Sequence, residues 1–213
     1  PPFDRGKASS YEGSLRIPFL VRWPGVTQPR RSCAMVSTVD ILPTILDATG
    51  ATSDVATHGR SLRGVLEKAD APWREYPAGE DHVHGPPWYP QRAIRDARYK
   101  LIHNLLAGQA RPTPFVDGDI GYVTSREDRY AGTPVRAAFD TYFDPPEFEL
   151  YDLEKDPWEF HNLAGKAEYA EVERRMKAAL KAWRHETDDP TLDPSFHDNI
   201  KQKFKDRNGR GKK

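Results

Sequence analysis

The first segment whose residues could do chemistry is a short glycine-containing stretch, Gly-Lys-Ala-Ser-Ser-Tyr-Glu-Gly, which contains Lys7. The ammonium group of a lysine is a compact positive charge that suits the oxygen atoms of a sulfate or phosphate group. The stretch is not a P-loop, because the pattern Gly-x-x-x-x-Gly-Lys-Ser/Thr is absent. Taken alone, Lys7 is more simply explained as a solvent-exposed side chain with no function.

The second candidate is a cluster of acidic, imidazole and aromatic side chains in the string EDHVHGPPWYPQR. Its members are Glu80, Asp81, His82, His84, Trp88, Tyr89 and Arg92. Three interpretations fit the cluster: a plain surface loop, a site for a polyhydroxylated ligand whose sugar ring stacks on the aromatic rings, and a metal site. No further His or Cys cluster completes a coordination shell, which disfavours the metal.

A third string, ELYDLEKDPWEFHNLA, predicts packing rather than chemistry. Its large apolar residues, Leu150, Leu153, Trp158 and Leu163, are expected to be core anchors around an acidic turn. His161 and Asn162 are interpreted as turn-capping groups.

The elements that must position these residues follow from hydrophobic periodicity and from breaks at Pro and Gly. We predict a buried strand over 17–23, a helix that starts near Asp40 and stops at Gly50, and a weaker helix in GRSLRGVLEK. Three strands, in RAIRD, YKLIHNLL and EFELYDL, and an amphipathic helix over 166–186 predict a small antiparallel sheet with a helix laid across it. The apolar stripe of that helix is Tyr169, Val172, Met176, Leu180 and Trp183. Residues 69–91 and 107–146 are expected to be irregular.

Composition narrows the function classes. The chain has 213 residues, with 32 basic and 32 acidic side chains, and this balance argues against a nucleic-acid-binding module. No stretch approaches the ~18 consecutive apolar residues that span a bilayer. The basic residues 201–213 are expected to be a disordered end, with contact to phosphate or another polyanion as the alternative.

Several strings, in order, resemble the C-terminal part of a formylglycine-dependent sulfatase. They are GKASSYEGSLRIPFLVRWPG, VSTVDILPTILDATG, HGRSL, RAIRDARYKLIHNL and ELYDLEKDPWEFHNLA. YPQRAIRDARYKLIHNL and WRHETDDP most resemble the N-sulfoglucosamine sulfohydrolase (heparan sulfamidase) branch. The resemblance implies an α/β, alkaline-phosphatase-like fold, with residues 1–68 as the end of the catalytic α/β domain, 69–190 as a small C-terminal subdomain, and 191–213 as a flexible basic tail.

The resemblance also implies a site. Lys7 matches the lysine that contacts the sulfate of the substrate, His82 and His84 fall where sulfamidases place a His-rich pocket wall, and Arg92 is similar to a family arginine that meets a carboxylate or sulfate or braces the loop. The local string His-Val-His departs from the expected His-His-Glu, which puts the identity of the substrate in doubt.

The formylglycine nucleophile and calcium of such enzymes are expected from an N-terminal sulfatase domain upstream of this chain. Cys33 lacks the following Pro-x-Arg and so does not match the formylglycine precursor. The 213 residues alone are therefore expected to show no turnover. The implied partner is a sulfated carbohydrate, with no nucleic acid and no membrane, and the implied location is periplasmic or extracytoplasmic. Two alternatives stay open: a phosphoester or phosphonate hydrolase of the same superfamily, and a non-catalytic binder of sulfated glycans.

Overall fold

A computed structural model describes residues 5–6, 9–82, 88–109 and 120–210; for 120–122, 204–205 and 207–210 it describes the backbone alone. The chain divides into two compact units. One unit combines residues 1–16 with 78–213, and the other is residues 17–77.

The first unit is built on a four-stranded antiparallel sheet whose strands lie side by side in chain order. The strands are β1 (Ala78–Asp81), β2 (Gln91–Arg95), β3 (Tyr99–Asn104) and β4 (Phe148–Asp152). The register pairs Ala93 with Ile102 and Leu101 with Leu150. The three strands predicted from the sequence are confirmed as β2, β3 and β4.

One face of this sheet packs against the N-terminal segment. A buried cluster joins the segment and helix α5 (Pro134–Phe143) to side chains of strands β2, β3 and β4. Its members are Tyr11, Ala93, Ile102, Tyr142 and Tyr151. The short helix α1 (Glu12–Leu15) follows directly after Tyr11. The segment that carries Lys7 is thereby joined to the core.

The opposite face packs against helix α6 (Ala170–Glu186), which confirms the predicted amphipathic helix. Met176 and Leu180 are buried, whereas the other members of the predicted stripe are half-buried. Lys177 places its ammonium 3.8 Å from the centre of the Phe148 ring. Phe148 in turn stacks on His103 of β3 at 4.3 Å.

The turn after β4 agrees only in part with its prediction. The side-chain oxygen of Asn162 accepts the N–H groups of Leu150 and Ala164, both at 2.9 Å, so Asn162 caps the turn as predicted. Leu150 is fully buried, but Trp158 is 53% exposed and is not a core anchor.

The second unit contains α2 (Ile41–Thr49) and α3 (Arg63–Glu67), which confirms both predicted helices. Gly50 ends α2 with a φ of 68°, a left-handed conformation that glycine adopts without strain. The buried carboxylate of Asp40 accepts the N–H groups of Ser37 at 2.8 Å and Arg60 at 3.1 Å and pairs with Arg74. Asp40 thus ties the start of α2 to the loop before α3.

Some predicted elements are wrong. Residues 17–23 form no strand, and the side chain of Leu20 is 93% exposed, because Pro18 and Pro24 remove backbone donors and no strand of the described residues pairs with the run. The two stretches expected to be irregular contain β1 and two helices, α4 (Ile120–Ser125) and α5. Residues 194–210 of the basic tail form helix α7 (Pro194–Arg210).

Short 3₁₀ turns occur at Thr38–Asp40, Asp128–Tyr130, Ala167–Tyr169 and Pro190–Leu192. Among the helices that the structure describes, none combines the length and apolar character needed to cross a membrane.

Candidate functional site

Lys7 itself lies outside the described residues, but both of its flanks are described. Before it, the guanidinium of Arg5 donates to the carbonyl oxygens of Trp158 and Glu159, each at 2.7 Å. The same guanidinium lies 3.7 Å from the centre of the Tyr11 ring, a cation–π contact. Arg5 is buried, so the chain is fixed at this point to the turn after β4.

After Lys7, three hydrogen bonds fix the returning chain. The hydroxyl of Ser9 donates to the carbonyl oxygen of Arg5 at 2.6 Å. The N–H of Ser10 donates to the side-chain oxygen of Gln91 at 3.2 Å, and the N–H of Glu12 donates to Glu159 at 2.6 Å. The described residues on either side of Lys7 are therefore anchored to the first unit.

A buried group of charges lies beneath this segment. The ammonium of Lys100, which is 1% exposed, lies 3.2 Å from one carboxylate oxygen of Glu12 and 3.2 Å from one of Glu159. Arg95 pairs with the second oxygen of Glu12. Burial raises the pKa of the Glu159 carboxyl, although Lys100 opposes this shift. Each of these charges is thus paired with an opposite charge from another part of the chain.

A row of polar side chains crosses the same face of the sheet and ends at a buried carboxylate. The amide of Gln91 donates to Asn104 at 2.6 Å, and Asn104 donates to Glu149 at 2.8 Å. The hydroxyls of Tyr11 and Tyr151 donate to the other oxygen of Glu149, at 2.7 and 2.5 Å. Because Gln91 also accepts from Ser10, the row joins the lysine segment to the first residue of β2.

The second candidate cluster surrounds residues 83–87, which include His84 and lie outside the described residues. The Nε2 atom of His82 lies 3.2 Å from a carboxylate oxygen of Glu80. This contact holds the pKa of Glu80 below its usual range, against the opposing effect of burial. The His82 ring stacks on Trp88 with centres 5.2 Å apart and planes 26° apart. His82 and Trp88 therefore form a half-buried pair of rings at the two ends of the loop.

Arg92 is fully buried beneath this loop. Its Nε and Nη2 atoms donate to the two oxygens of Asp189 at 2.8 and 2.7 Å, and Nη1 donates to the carbonyl oxygen of Gln91 at 2.9 Å. Burial alone would raise the pKa of Asp189, but Arg92, Thr191 and Arg184 hold that pKa well below its usual range. Arg92 thus ties β2 to the connection between α6 and α7.

The sequence alone did not reveal which residues pair with Arg92 and Lys100. Asp189 lies 97 positions from Arg92, and Glu12 lies 88 positions from Lys100. No periodicity or motif links positions so far apart, although the string WRHETDDP, which contains Asp189, was one of those that carry the resemblance.

The described residues contain no group of three or more His, Cys, Asp or Glu side chains that could hold a metal ion. The described residues therefore supply no ligand set for the calcium that the resemblance implies.

A small antiparallel sheet with one amphipathic helix across it is the arrangement that the resemblance predicts for the C-terminal part of a sulfatase-like α/β protein. Residues 3–110 and 137–186 match the family described as "N-sulphoglucosamine sulphohydrolase, C-terminal". The chain belongs to this family, and the predicted membership in the sulfatases is confirmed.

Relatives and solved structures agree with this assignment. Human N-sulphoglucosamine sulphohydrolase is 31% identical over 208 residues, which cover 89% of this chain and 40% of that protein. An ulvan-active sulfatase of Formosa agariphila is 27% identical over 187 residues, which cover 84% of this chain and 34% of the relative. The structure of BT4656 in complex with its substrate D-glucosamine-2-N,6-O-disulfate superposes with a TM-score of 0.52 at 25% identity, over 74% of this chain and 26% of that one.

The chain therefore spans less than half the length of the relatives it matches. The predicted fold class, an α/β sulfatase of the alkaline-phosphatase-like type, is confirmed.

Proposed function

We propose that this chain is part of a sulfatase that hydrolyses sulfate esters or the N-sulfate of sugars, with N-sulfoglucosamine at a heparan chain end as the first substrate to test. The observation that carries the proposal is the hydrogen bond from Ser10 to Gln91. It connects the segment that contains Lys7 to the strand that ends the 79–92 loop. Family membership and the relatives that act on sulfated sugars support the same function.

Lys7 is proposed to hold the sulfate group during its transfer. A sulfate oxygen gains charge while the bond to the leaving group breaks, and a fixed cation stabilises that charge only if it does not have to move. The buried anchors at Arg5 and Ser9–Glu12 hold the chain on either side of Lys7 and support this proposal. The formylglycine and calcium of the intact enzyme would supply the nucleophile and further positive charge from the N-terminal sulfatase domain.

The 79–92 loop is proposed to form the wall of the sugar pocket. His82 and Trp88 offer stacked rings for a sugar face, and the carboxylate of Glu80 offers an acceptor for a hydroxyl group. His84 lies in the same loop, and Arg92, which is buried at the C-terminal end of that loop, is proposed to brace it.

Exposed apolar side chains of residues 17–77 support the presence of an N-terminal domain against this unit. They include Ile17, Phe19, Leu20, Val39, Ile41, Leu42 and Ile45. Large apolar side chains that are exposed in such number are often covered by another part of the protein. We propose that the sulfatase domain upstream covers it, and that the intact enzyme works in a periplasmic or extracytoplasmic location.

The test is sulfate release by the full-length protein and its Lys7→Ala variant. Loss of a fixed cation at the transferring group should lower kcat/KM by about 100- to 1000-fold. Lys181→Ala removes an exposed lysine of α6 and is the matched control, which should retain full activity. Unchanged turnover in Lys7→Ala would defeat the assignment of Lys7.

Three substrates separate the alternatives. The rates at which the same protein hydrolyses N-sulfoglucosamine, an aryl sulfate and an aryl phosphate should be compared. Faster hydrolysis of the aryl phosphate would support a phosphoester hydrolase, and binding of sulfated sugars without any turnover would support a non-catalytic binder.

A further inference from the structure

Helix α7 begins at the wall of the proposed sugar pocket, although the family match ends at residue 186. Its start is held by Asp189, which accepts hydrogen bonds from Arg92 of β2 and Arg184 of α6, the latter at 2.8 Å. The N–H and hydroxyl of Thr191 donate to the same carboxylate at 3.0 and 2.7 Å. The connection into α7 is thus fixed to the sheet and to α6.

The first turn of α7 contacts Trp88. The indole N–H of Trp88 donates to Nδ1 of His197 at 3.0 Å, and the Phe196 ring meets the Trp88 ring edge to face at 5.9 Å. An accepting Nδ1 requires an imidazole that is neutral and carries its proton on Nε2. Trp88 therefore lies between His82 of the loop and two rings of α7.

The rest of α7 and the residues after it are strongly basic. Positions 201–213 contain seven basic residues and one acidic residue, in a chain whose net charge is zero. The basic residues are Lys201, Lys203, Lys205, Arg207, Arg210, Lys212 and Lys213, and the acidic one is Asp206. The ammonium of Lys201 donates to the side-chain oxygen of Gln109 at 3.2 Å, whereas the side chain of Lys203 is exposed. A positive surface next to a site attracts polyanions and is sensitive to salt.

We propose that helix α7 is a second subsite, which binds a sulfated sugar unit next to the one that enters the pocket. The proposal rests on the proposed function. His197 and Phe196 position Trp88 at the junction of the two subsites, and the exposed side chain of Lys203 neutralises a sulfate group of the neighbouring unit. A chain of sulfated sugars should therefore bind more tightly than a single N-sulfated sugar.

The test measures binding to the full-length protein by calorimetry, with N-sulfoglucosamine and an N-sulfated heparan-type hexasaccharide as ligands. Lys203→Glu should weaken binding of the hexasaccharide by about 3- to 10-fold at low salt, and this difference should shrink at high salt. Binding of the monosaccharide should not change. Lys181→Glu makes the same charge change on an exposed position of α6 and should leave both affinities unchanged.

Two results would overturn the inference: equal affinity of the wild type for the two ligands, and equal behaviour of Lys203→Glu and Lys181→Glu. Sulfate release from the same ligands is measured separately. Tight hexasaccharide binding without turnover would refute the proposed hydrolysis and leave the second subsite supported.

Discussion

Replacing Lys100 by methionine should loosen the segment that carries Lys7. Lys100 lies between Glu12 and Glu159 and is almost fully buried. Methionine keeps the unbranched shape but removes the charge, so two carboxylates would face each other without the shared cation. Burial already raises the pKa of Glu159, and loss of Lys100 should raise that pKa further.

Removing one partner of a buried ion pair typically costs about 3–5 kcal/mol. Arg95 still neutralises Glu12 in the variant, so we expect the lower end of this range. A loss of about 3 kcal/mol raises the unfolding equilibrium constant by more than about 100-fold, at 1.36 kcal/mol for each factor of ten. The loss should shrink at acidic pH, because a protonated Glu159 needs no counter-charge.

Urea unfolding of the full-length protein measures the change in its free energy of unfolding. Amide hydrogen exchange measures the local opening of the segment. The amides of Ser10 and Glu12 donate to side chains of the first unit, so their exchange should accelerate in Lys100→Met. Lys181→Met is the matched control and should change the stability by less than about 0.5 kcal/mol. The double variant Lys100→Met/Glu159→Gln should recover part of the loss. Equal stability and exchange in Lys100→Met and Lys181→Met would refute the role of the buried charges.

Two further predictions concern other parts of the chain. Burial, together with Arg184 and Lys177, lowers the pKa of His103 from 6.5 to about 4. The unfolded chain therefore binds a proton more readily, and stability should fall by about 3 kcal/mol as the pH falls from 6.5 to 4. Acid titration of the unfolding free energy should show a smaller loss in His103→Leu; an identical profile would contradict this. A Cβ at Gly59 would overlap the Val39 carbonyl oxygen, whereas a Cβ at Gly64 of α3 meets nothing within 4 Å. Gly59→Ala should lower Tm, because the backbone has to shift. Gly64→Ala should raise Tm, since alanine stabilises a helix by about 0.5–1 kcal/mol relative to glycine. A higher Tm for Gly59→Ala than for Gly64→Ala would disprove the close approach of Gly59 to the Val39 carbonyl.

The sequence predicts the elements that have strong local signals. Strands β3 and β4 are rich in apolar and aromatic residues, β2 carries Ala93 and Ile94, and α6 has a clear helical stripe. Helix α5 was missed although Thr133 and Pro134 are a good start signal: the Thr133 hydroxyl accepts the N–H of Arg136. Strand β1 has the sequence Ala-Gly-Glu-Asp, which has low strand propensity and pairs only because β2 is beside it.

Individual residues of the candidate site could be predicted from the sequence, but the contacts between them could not. Lys7 and His82 were identified from residue type and from resemblance, but their surroundings depend on pairs that are distant in the chain. The pairs of Arg92 with Asp189 and of Trp88 with His197 each join residues about a hundred positions apart. Such contacts arise from the packing of elements around the sheet, and a local pattern carries no trace of them.

The most direct test of the central claim is a crystal structure of the full-length protein with N-sulfoglucosamine or a non-hydrolysable analogue. The proposed function predicts the Nζ atom of Lys7 at about 3 Å from a sulfate oxygen, with the sugar ring against the 79–92 loop. A Lys7 side chain that points into solvent, away from a bound sulfate, would contradict it.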